Sequence, residues 1–212
     1  NSSPSTDENK EHKYNLDSLS PHQIDSFYVS KILLNIGHSD IPIDSVASTG
    51  PNGRICTLKL SGGDYSPNIK KPLAIVPEEI QHLRELTYLN LASNNIKEIP
   101  LWIGNLTKIE KLFFHYNDIS VIPDTIRNLS NLQNFGFSEN DCPEIPAYFG
   151  DFKKLEYLGF GENCLTEIPE FLFNLEQLKG MLLYNNKLTT IPDQITSMQN
   201  ITFIRFEGNS IC

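Results

Sequence analysis

Lysine and arginine are scarce in this chain: 17 of its 212 residues, against 26 aspartates and glutamates, give a formal net charge of −9 and a pI near 5.0. They are scattered, with no basic stripe. That argues against an electrostatic hold on nucleic acid or anionic lipid, both of which need clustered cations. Missing as well is any apolar run near the roughly 18–20 residues that a transmembrane helix requires. No nucleophile–base pair and no phosphate-cradling loop stands out, and glycine clusters only at Ser61-Gly62-Gly63 and inside strands. The chain is therefore not expected to be an enzyme, and no catalytic residue, metal ligand or cofactor is assigned. Residues 1–13 carry one proline and no aliphatic or aromatic side chain. Such a stretch buries too little surface to offset the entropy of ordering it. Residues 1–16 thus read as a flexible polar tether, serving either as a spacer or as no more than a frayed terminus. The chain begins at Asn1 rather than methionine, which leaves open whether a signal or lipidation sequence precedes it.

What the chain does contain is a period. From Leu86 the sequence repeats every 23 residues, with rungs opening at Leu86, Ile109, Leu132, Leu155, Leu178 and Ile201. Each opens as L-x-x-L-x-L-x-x-N, with Phe, Ile or Met sometimes replacing Leu. Asparagine recurs at Asn94, Asn117, Asn140, Asn163, Asn186 and Asn209, and an Ile-Pro pair recurs from Ile99-Pro100 to Ile191-Pro192. The physics of one rung accounts for the pattern. In Leu89-Asn90-Leu91 the alternation is that of a strand, leucines inward and Asn90 outward. Asn94 marks where the chain leaves the sheet, and its amide can satisfy the backbone groups freed there, stacked copies also bonding to one another. Pro100 fixes φ where the return limb starts and where a missing N–H is tolerated. Ile103 and Leu106 give a short helical or 3₁₀ limb one apolar face. A single rung cannot bury both of its faces, so neighbours must stack. The expected fold is an α/β solenoid, a horseshoe with a parallel sheet on the concave face and short helical or 3₁₀ limbs on the convex face.

An earlier rung opens at Ile55, Leu58 and Leu60 and resumes at Leu73, Val76, Ile80 and Leu83, with an insertion that makes it eight residues longer than the others. The extra loop, Gly62-Gly63-Asp64-Tyr65-Ser66-Pro67, is either a functional graft or a harmless part of the end. Solenoid ends expose apolar core and need covers. Ser20-Pro21-His22-Gln23 has the form of a capping box with proline at the first helical position. Ile24, Phe27, Tyr28, Ile32, Leu33 and Ile36 follow at helical spacing, and Gly37 is a stop signal. This divides the chain into the tether, an N-terminal helical cap over residues 17–54, and a solenoid of about seven rungs over 55–212. The first rung carries the insertion and the last is truncated at Cys212.

The phrase L-x-x-L-x-L-x-x-N-x-[IL]-x-x-[IL]-P-x-x-[IL]-x-x-L-x-x resembles the 23-residue leucine-rich-repeat class, found in bacterial proteins, notably the leptospiral family, and in plant and animal intracellular scaffolds. The run GRICTLKLSG (residues 53–62) after a helix is similar to the way bacterial members enter their first repeat. The resemblance implies a curved parallel-sheet solenoid, recognition of proteins on the inner face, and in many members export. It departs from the 24-residue, glycine-containing repeat with cysteine-paired caps of plant receptors.

Specificity should then sit on the outward positions of the strands. One row is Thr57, Tyr88, Lys111, Asn134, Tyr157, Gly180 and Phe203; the next is Lys59, Asn90, Phe113, Gly136, Gly159, Leu182 and Arg205. A third is Ser61, Ala92, His115, Ser138, Gly161, Tyr184 and Glu207, with Ser93, Tyr116, Glu139, Glu162 and Asn185 beside it. Tyr88, Phe113, Tyr116, Tyr157, Leu182, Tyr184 and Phe203 are large apolar side chains aimed at solvent, the typical anchors of protein interfaces. Gly136, Gly159, Gly161 and Gly180 remove side chains between them. With strands about 4.8 Å apart, that predicts a shallow trough roughly 10–15 Å long, walled by Phe113 and by Leu182 with Tyr184. It is read as a partner seat flanked by Glu139 and Glu162, with Lys111, His115 and Arg205 as further contacts. The competing reading is that the aromatics pack on one another across strands, Tyr157 leaning over the trough. His115, Glu139 and Glu162 fall on consecutive rungs as a by-product of the repeat, so no metal is assigned to them.

Cys56 and Cys212 should lie roughly 30 Å apart at strand spacing. Cys142 takes an inward place and Cys164 points elsewhere, so no internal disulfide is expected. Three glycosylation sequons, at Asn105, Asn128 and Asn200, recur because the repeat puts Asn near its end. The function expected is a non-enzymatic module that recognises a partner protein on the concave face, probed most naturally as an exported or surface bacterial protein meeting host or envelope partners. An intracellular signalling scaffold and a carbohydrate- or metal-dependent adhesin are the alternatives.

Overall fold

The computed structural model describes residues 16–63 and 69–211. The tether, apart from Leu16, residues 64–67 of the insertion, and Cys212 lie outside the described residues. A helix, α1 (Pro21–Asn35), comes first, followed by β1 (Ala47–Thr49) and β2 (Ile55–Lys59). The remaining strands have three residues each: β3 (Tyr88–Asn90), β4 (Lys111–Phe113), β5 (Asn134–Gly136), β6 (Tyr157–Gly159), β7 (Gly180–Leu182) and β8 (Phe203–Arg205). All eight form one sheet in sequence order. From β2 to β8 the pairing is parallel and unslipped, Leu89 beside Leu112, then Phe135, Leu158, Met181 and Ile204. β1 is the exception, pairing antiparallel with β2 through a hairpin at Gly53; the sequence reading placed no strand there.

Each rung turns sharply after its strand. Ser93, Tyr116, Glu139, Glu162 and Asn185 all sit in the left-handed region, with φ between 51° and 58°. Gly208 holds the equivalent place in the last rung at φ 75°. The turn delivers the next residue, asparagine, into the core. Asn117 Oδ1 accepts from Ile96 N at 3.0 Å, while its Nδ2 donates to Leu91 O (3.0 Å) and Phe114 O (2.9 Å). The same set repeats at Asn94, Asn140 and Asn186. The asparagines therefore bond backbone of their own and the preceding rung, and not each other as the sequence reading allowed. A side-chain amide one rung away from its neighbour serves backbone better, because the freed N–H and C=O groups lie closer to it and cannot be left unpaired in the interior.

A proline, from Pro77 to Pro192, then opens each 3₁₀ turn of the convex face: Glu78–His82, Leu101–Asn105, Asp124–Asn128, Ala147–Asp151, Glu170–Asn174 and Asp193–Ser197. Between these turns and the sheet, the inward residues of every rung up to Met181 are buried. Phenylalanine replaces leucine in the middle rungs, where Phe114, Phe135, Phe137, Phe149, Phe152 and Phe160 are fully buried. Phe135 meets Phe149 edge-on at 5.1 Å and stacks with Phe137 at 5.6 Å. Packing of this kind adds about 0.5–1.5 kcal/mol per pair beyond area burial.

At the N-terminal end α1 begins with the capping box, Ser20 N donating to Gln23 Oε1 at 2.8 Å and Gln23 N to Ser20 Oγ at 3.4 Å. It stops where Gly37 N and His38 N reach back to Leu34 O and Leu33 O, the paired bonds of a left-handed glycine cap. The helix is rotated from the face the apolar spacing suggested. Asp25, Val29, Ile32 and Leu33 are buried, whereas Ile24, Phe27, Tyr28 and Ile36 are half-buried. Asp25 is 0% exposed and accepts from Arg54 Nε and Nη2 at 2.7 Å each and from Ile55 N at 2.9 Å. That clamp joins α1 to the first residue of β2. At the other end Ile195, Ile201, Ile204, Phe206 and Ile211 are only partly buried.

Candidate functional site

The concave face is the outward face of β2–β8, and the register sets its rows without slip. Tyr88, Lys111, Asn134, Tyr157, Gly180 and Phe203 align across the sheet, as do Asn90, Phe113, Gly136, Gly159, Leu182 and Arg205. The rings named from sequence lie outside the core: Tyr116 and Phe203 are 42% exposed and Tyr157 38%, while Tyr88, Phe113, Leu182 and Tyr184 are half-buried. Four of them form two groups. Tyr88 lies 5.4 Å from Phe113, which stacks on His115 at 5.6 Å. Tyr157 stacks on Phe203 at 6.2 Å, across Gly180.

The glycine trough is not open along its length. Gly136, Gly159, Gly161 and Gly180 are all buried. A Cβ at Gly136 would collide with the His115 ring, at Gly161 with the Tyr184 ring, and at Gly180 with the Phe203 ring. The rings have laid themselves into the spaces the glycines vacate, because apolar surface leaves water whenever a neighbouring rung offers room. The aromatic packing across strands is thus present, and it fills much of the expected trough. Gly159 is different: a Cβ there would meet Ser138 Oγ at 3.3 Å and His115 Cε1 at 3.5 Å. Around it remains a hollow of about 130 Å³, walled by Phe113, His115, Tyr157, Leu182 and Phe203 over a floor of Gly136, Gly159 and Gly180. The long trough shrinks to this one hollow. Larger hollows occur at the seam of α1 with β1 (about 610 Å³) and beside Pro72 and Ile75 (about 440 Å³), but neither is walled by converging rings.

His115 has a structural task that its spacing did not suggest. Its Nδ1 accepts from Ser138 N at 3.2 Å, and burial holds the imidazole below its ordinary 6.5. It is therefore neutral near pH 7, with the proton on Nε2 as the hydrogen-bond pattern requires. One rung on, Ser138 Oγ accepts from Gly161 N at 3.1 Å and hydrogen-bonds the Tyr184 hydroxyl, whose titration burial pushes up. In the rung before, Asn90 Oδ1 accepts from Ala92 N at 2.9 Å. Each of these amides lies two residues past a short strand and would otherwise lack a partner. Ser138 and Asn90 were ranked as plain outward residues in the sequence; their role depends on side-chain reach from rung to rung and carries no motif.

The charged members stand apart. Lys111 and Arg205 are exposed and lie on β4 and β8, Arg205 3.8 Å from Glu207. Glu162 accepts from Asn185 Nδ2 at 3.1 Å. Among the described residues no cluster of three or more His, Cys, Asp or Glu is arranged to hold a metal ion. Cys56, Cys142 and Cys164 are free thiols; burial pushes Cys142 up to about 11, and its Sγ donates to Glu144 O at 3.2 Å. Among the described residues no helix is long and apolar enough to cross a membrane.

A family model for the leucine-rich repeat matches residues 85–106. No curated protein matches the chain significantly. Among solved structures, the chain is similar to a leucine-rich-repeat protein of Leptospira interrogans, at 31% identity and a TM-score of 0.64, over 66% of this chain and 36% of that one. It is also similar to the leucine-rich-repeat ectodomain of the Arabidopsis thaliana receptor kinase GASSHO1/SCHENGEN3, in complex with Casparian strip integrity factor 2, at 33% identity and a TM-score of 0.56. That match covers 63% of this chain and 17% of that ectodomain chain. The functional domain of InlJ from Listeria monocytogenes shares the fold at 20% identity, with a TM-score of 0.58, over 68% of this chain and 29% of that one. The chain thus spans about a third or less of the lengths it matches.

Proposed function

Because the chain is a leucine-rich-repeat solenoid that resembles a leptospiral one, we propose that it is a non-enzymatic module that binds a partner protein on its concave face. The observation that carries this reading is the set of partly exposed rings on one face of the sheet, Phe113, Tyr157 and Phe203, which line the hollow over Gly159 with Leu182, Tyr88 lying beside Phe113. Rings of this kind supply large contact area at low entropic cost, and interfaces concentrate their energy in such anchors. Support for a protein ligand also comes from the plant ectodomain, which was solved in complex with its integrity factor. An acidic chain without a basic stripe disfavours nucleic acid.

The module acts at a cell surface or outside the cell, as part of a bacterial protein that meets host or envelope proteins. Similarity to the leptospiral protein and the 23-residue period support that placement. The test is a pull-down from host extract with the wild type and with Phe113→Ala/Tyr157→Ala/Leu182→Ala. Loss of the captured proteins in the triple variant is the expected result. Equal capture by both would contradict the concave-face reading, and capture only of cytosolic bacterial proteins from a matched bacterial extract would contradict the surface placement.

A further inference from the structure

Resting on the concave-face reading, we propose that the hollow over Gly159, together with Glu139 and Glu162, takes an extended segment of the partner carrying one apolar side chain and, about three residues away, a lysine or arginine. The hollow is of the right size for one side chain. It measures about 130 Å³, and a dry apolar cavity of roughly 150 Å³ accepts a benzene. Its walls are mainly rings and one leucine, with Asn134 at the edge, and His115, whose titration burial lowers, has its Nδ1 already occupied by Ser138 N. A charged group entering there would lose more water than so few polar groups replace.

Charge fixes the second half of the motif. Glu162 stands three residues beyond Gly159 on the same rung, and Glu139 three beyond Gly136. Three residues of extended chain span about 10 Å, so a segment lying along the strands would bring its third residue from the anchor to these carboxylates. Neither glutamate has a lysine or arginine partner among the described residues; Glu162 accepts only the Asn185 amide. Both carboxylates lie close enough to the Tyr184 hydroxyl for their charges to act on it.

The experiment pans a random dodecapeptide phage library on the full chain at low ionic strength. Enriched peptides are then measured against Gly159→Leu, which fills the hollow; Leu182→Ala, which removes a wall without adding bulk; and Glu139→Gln/Glu162→Gln. Thermal melting confirms that each variant is folded. Enriched peptides should share an apolar residue three positions from a lysine or arginine. Affinity should fall at least about tenfold in Gly159→Leu or Leu182→Ala. It should fall roughly two- to fivefold for each carboxylate removed, a loss that salt erases. Peptides that depend on Gly159 and Leu182 but lack the basic residue would overturn the motif and leave the concave-face reading standing. Peptides indifferent to both hollow variants, or no enrichment over a blank surface, would overturn both.

Discussion

Two faces of the same strands follow opposite rules. On β5 the inward residues are Phe135 and, just past the strand, Phe137, both fully buried, while the outward residue between them is Gly136. β6 repeats the contrast, with Leu158 and Phe160 inward and Gly159 outward. Inward positions vary little because each must fill the space between its neighbours at crystal-like density. Outward positions change from tyrosine to lysine to asparagine within three rungs, since no shared core holds them to one kind of side chain. Where they do interlock, they do so in ways peculiar to this chain, as when His115 supports Ser138 N and Tyr184 lies in the gap at Gly161. Stability is thus lodged mainly on the inner face, and the proposed function puts recognition on the outer one, so substitutions should separate the two.

The largest loss should come from the inner face. Phe137→Ala is expected to lower unfolding free energy by about 3–5 kcal/mol, read from the urea midpoint; a loss below about 1 kcal/mol would mean that the central rungs are not packed as described. Asn140→Ala strips partners from Ile119 N, Phe114 O and Phe137 O. Leaving buried backbone groups unpaired costs about 1–3 kcal/mol, and the same assay measures it. On the outer face, Gly161→Ala should cost about 1–2 kcal/mol because it expels the Tyr184 ring, whereas Gly159→Ala should cost less. Equal effects of the two would show that the glycines are not differently occupied.

The smallest effect is pH-dependent. His115 titrates below its ordinary 6.5 when folded, so the folded chain binds fewer protons than the unfolded one in that range. Its contribution is present in full above 6.5 and is lost as pH falls below it. Wild type should therefore lose more stability than His115→Gln on going from pH 7 to about pH 5.5, followed by thermal melting. Parallel losses would mean that the imidazole is freely hydrated.

The inner face could be read from sequence because its period is its physics. Leucines, asparagines and prolines recur where the solenoid needs them, so the register from Leu89 to Ile204 and the 3₁₀ limbs follow from spacing. The cap was harder. Asp25 looks like a solvent-facing residue until Arg54, distant in sequence, is seen to hold it, and β1 has no apolar alternation to announce it. On the outer face, the identity and order of the candidate residues were legible, but their occupancy was not. Whether a glycine leaves a trough or a berth for a ring depends on how far Phe113, Tyr184 and Phe203 reach across rungs, and no pairwise spacing encodes that reach.

The separation of the two faces is tested most directly by measuring the urea midpoint and partner capture together for Phe113→Ala/Tyr157→Ala/Leu182→Ala. A midpoint shift far smaller than that of Phe137→Ala is expected, with capture abolished. Retained capture, or unfolding as severe as that of Phe137→Ala, would contradict it.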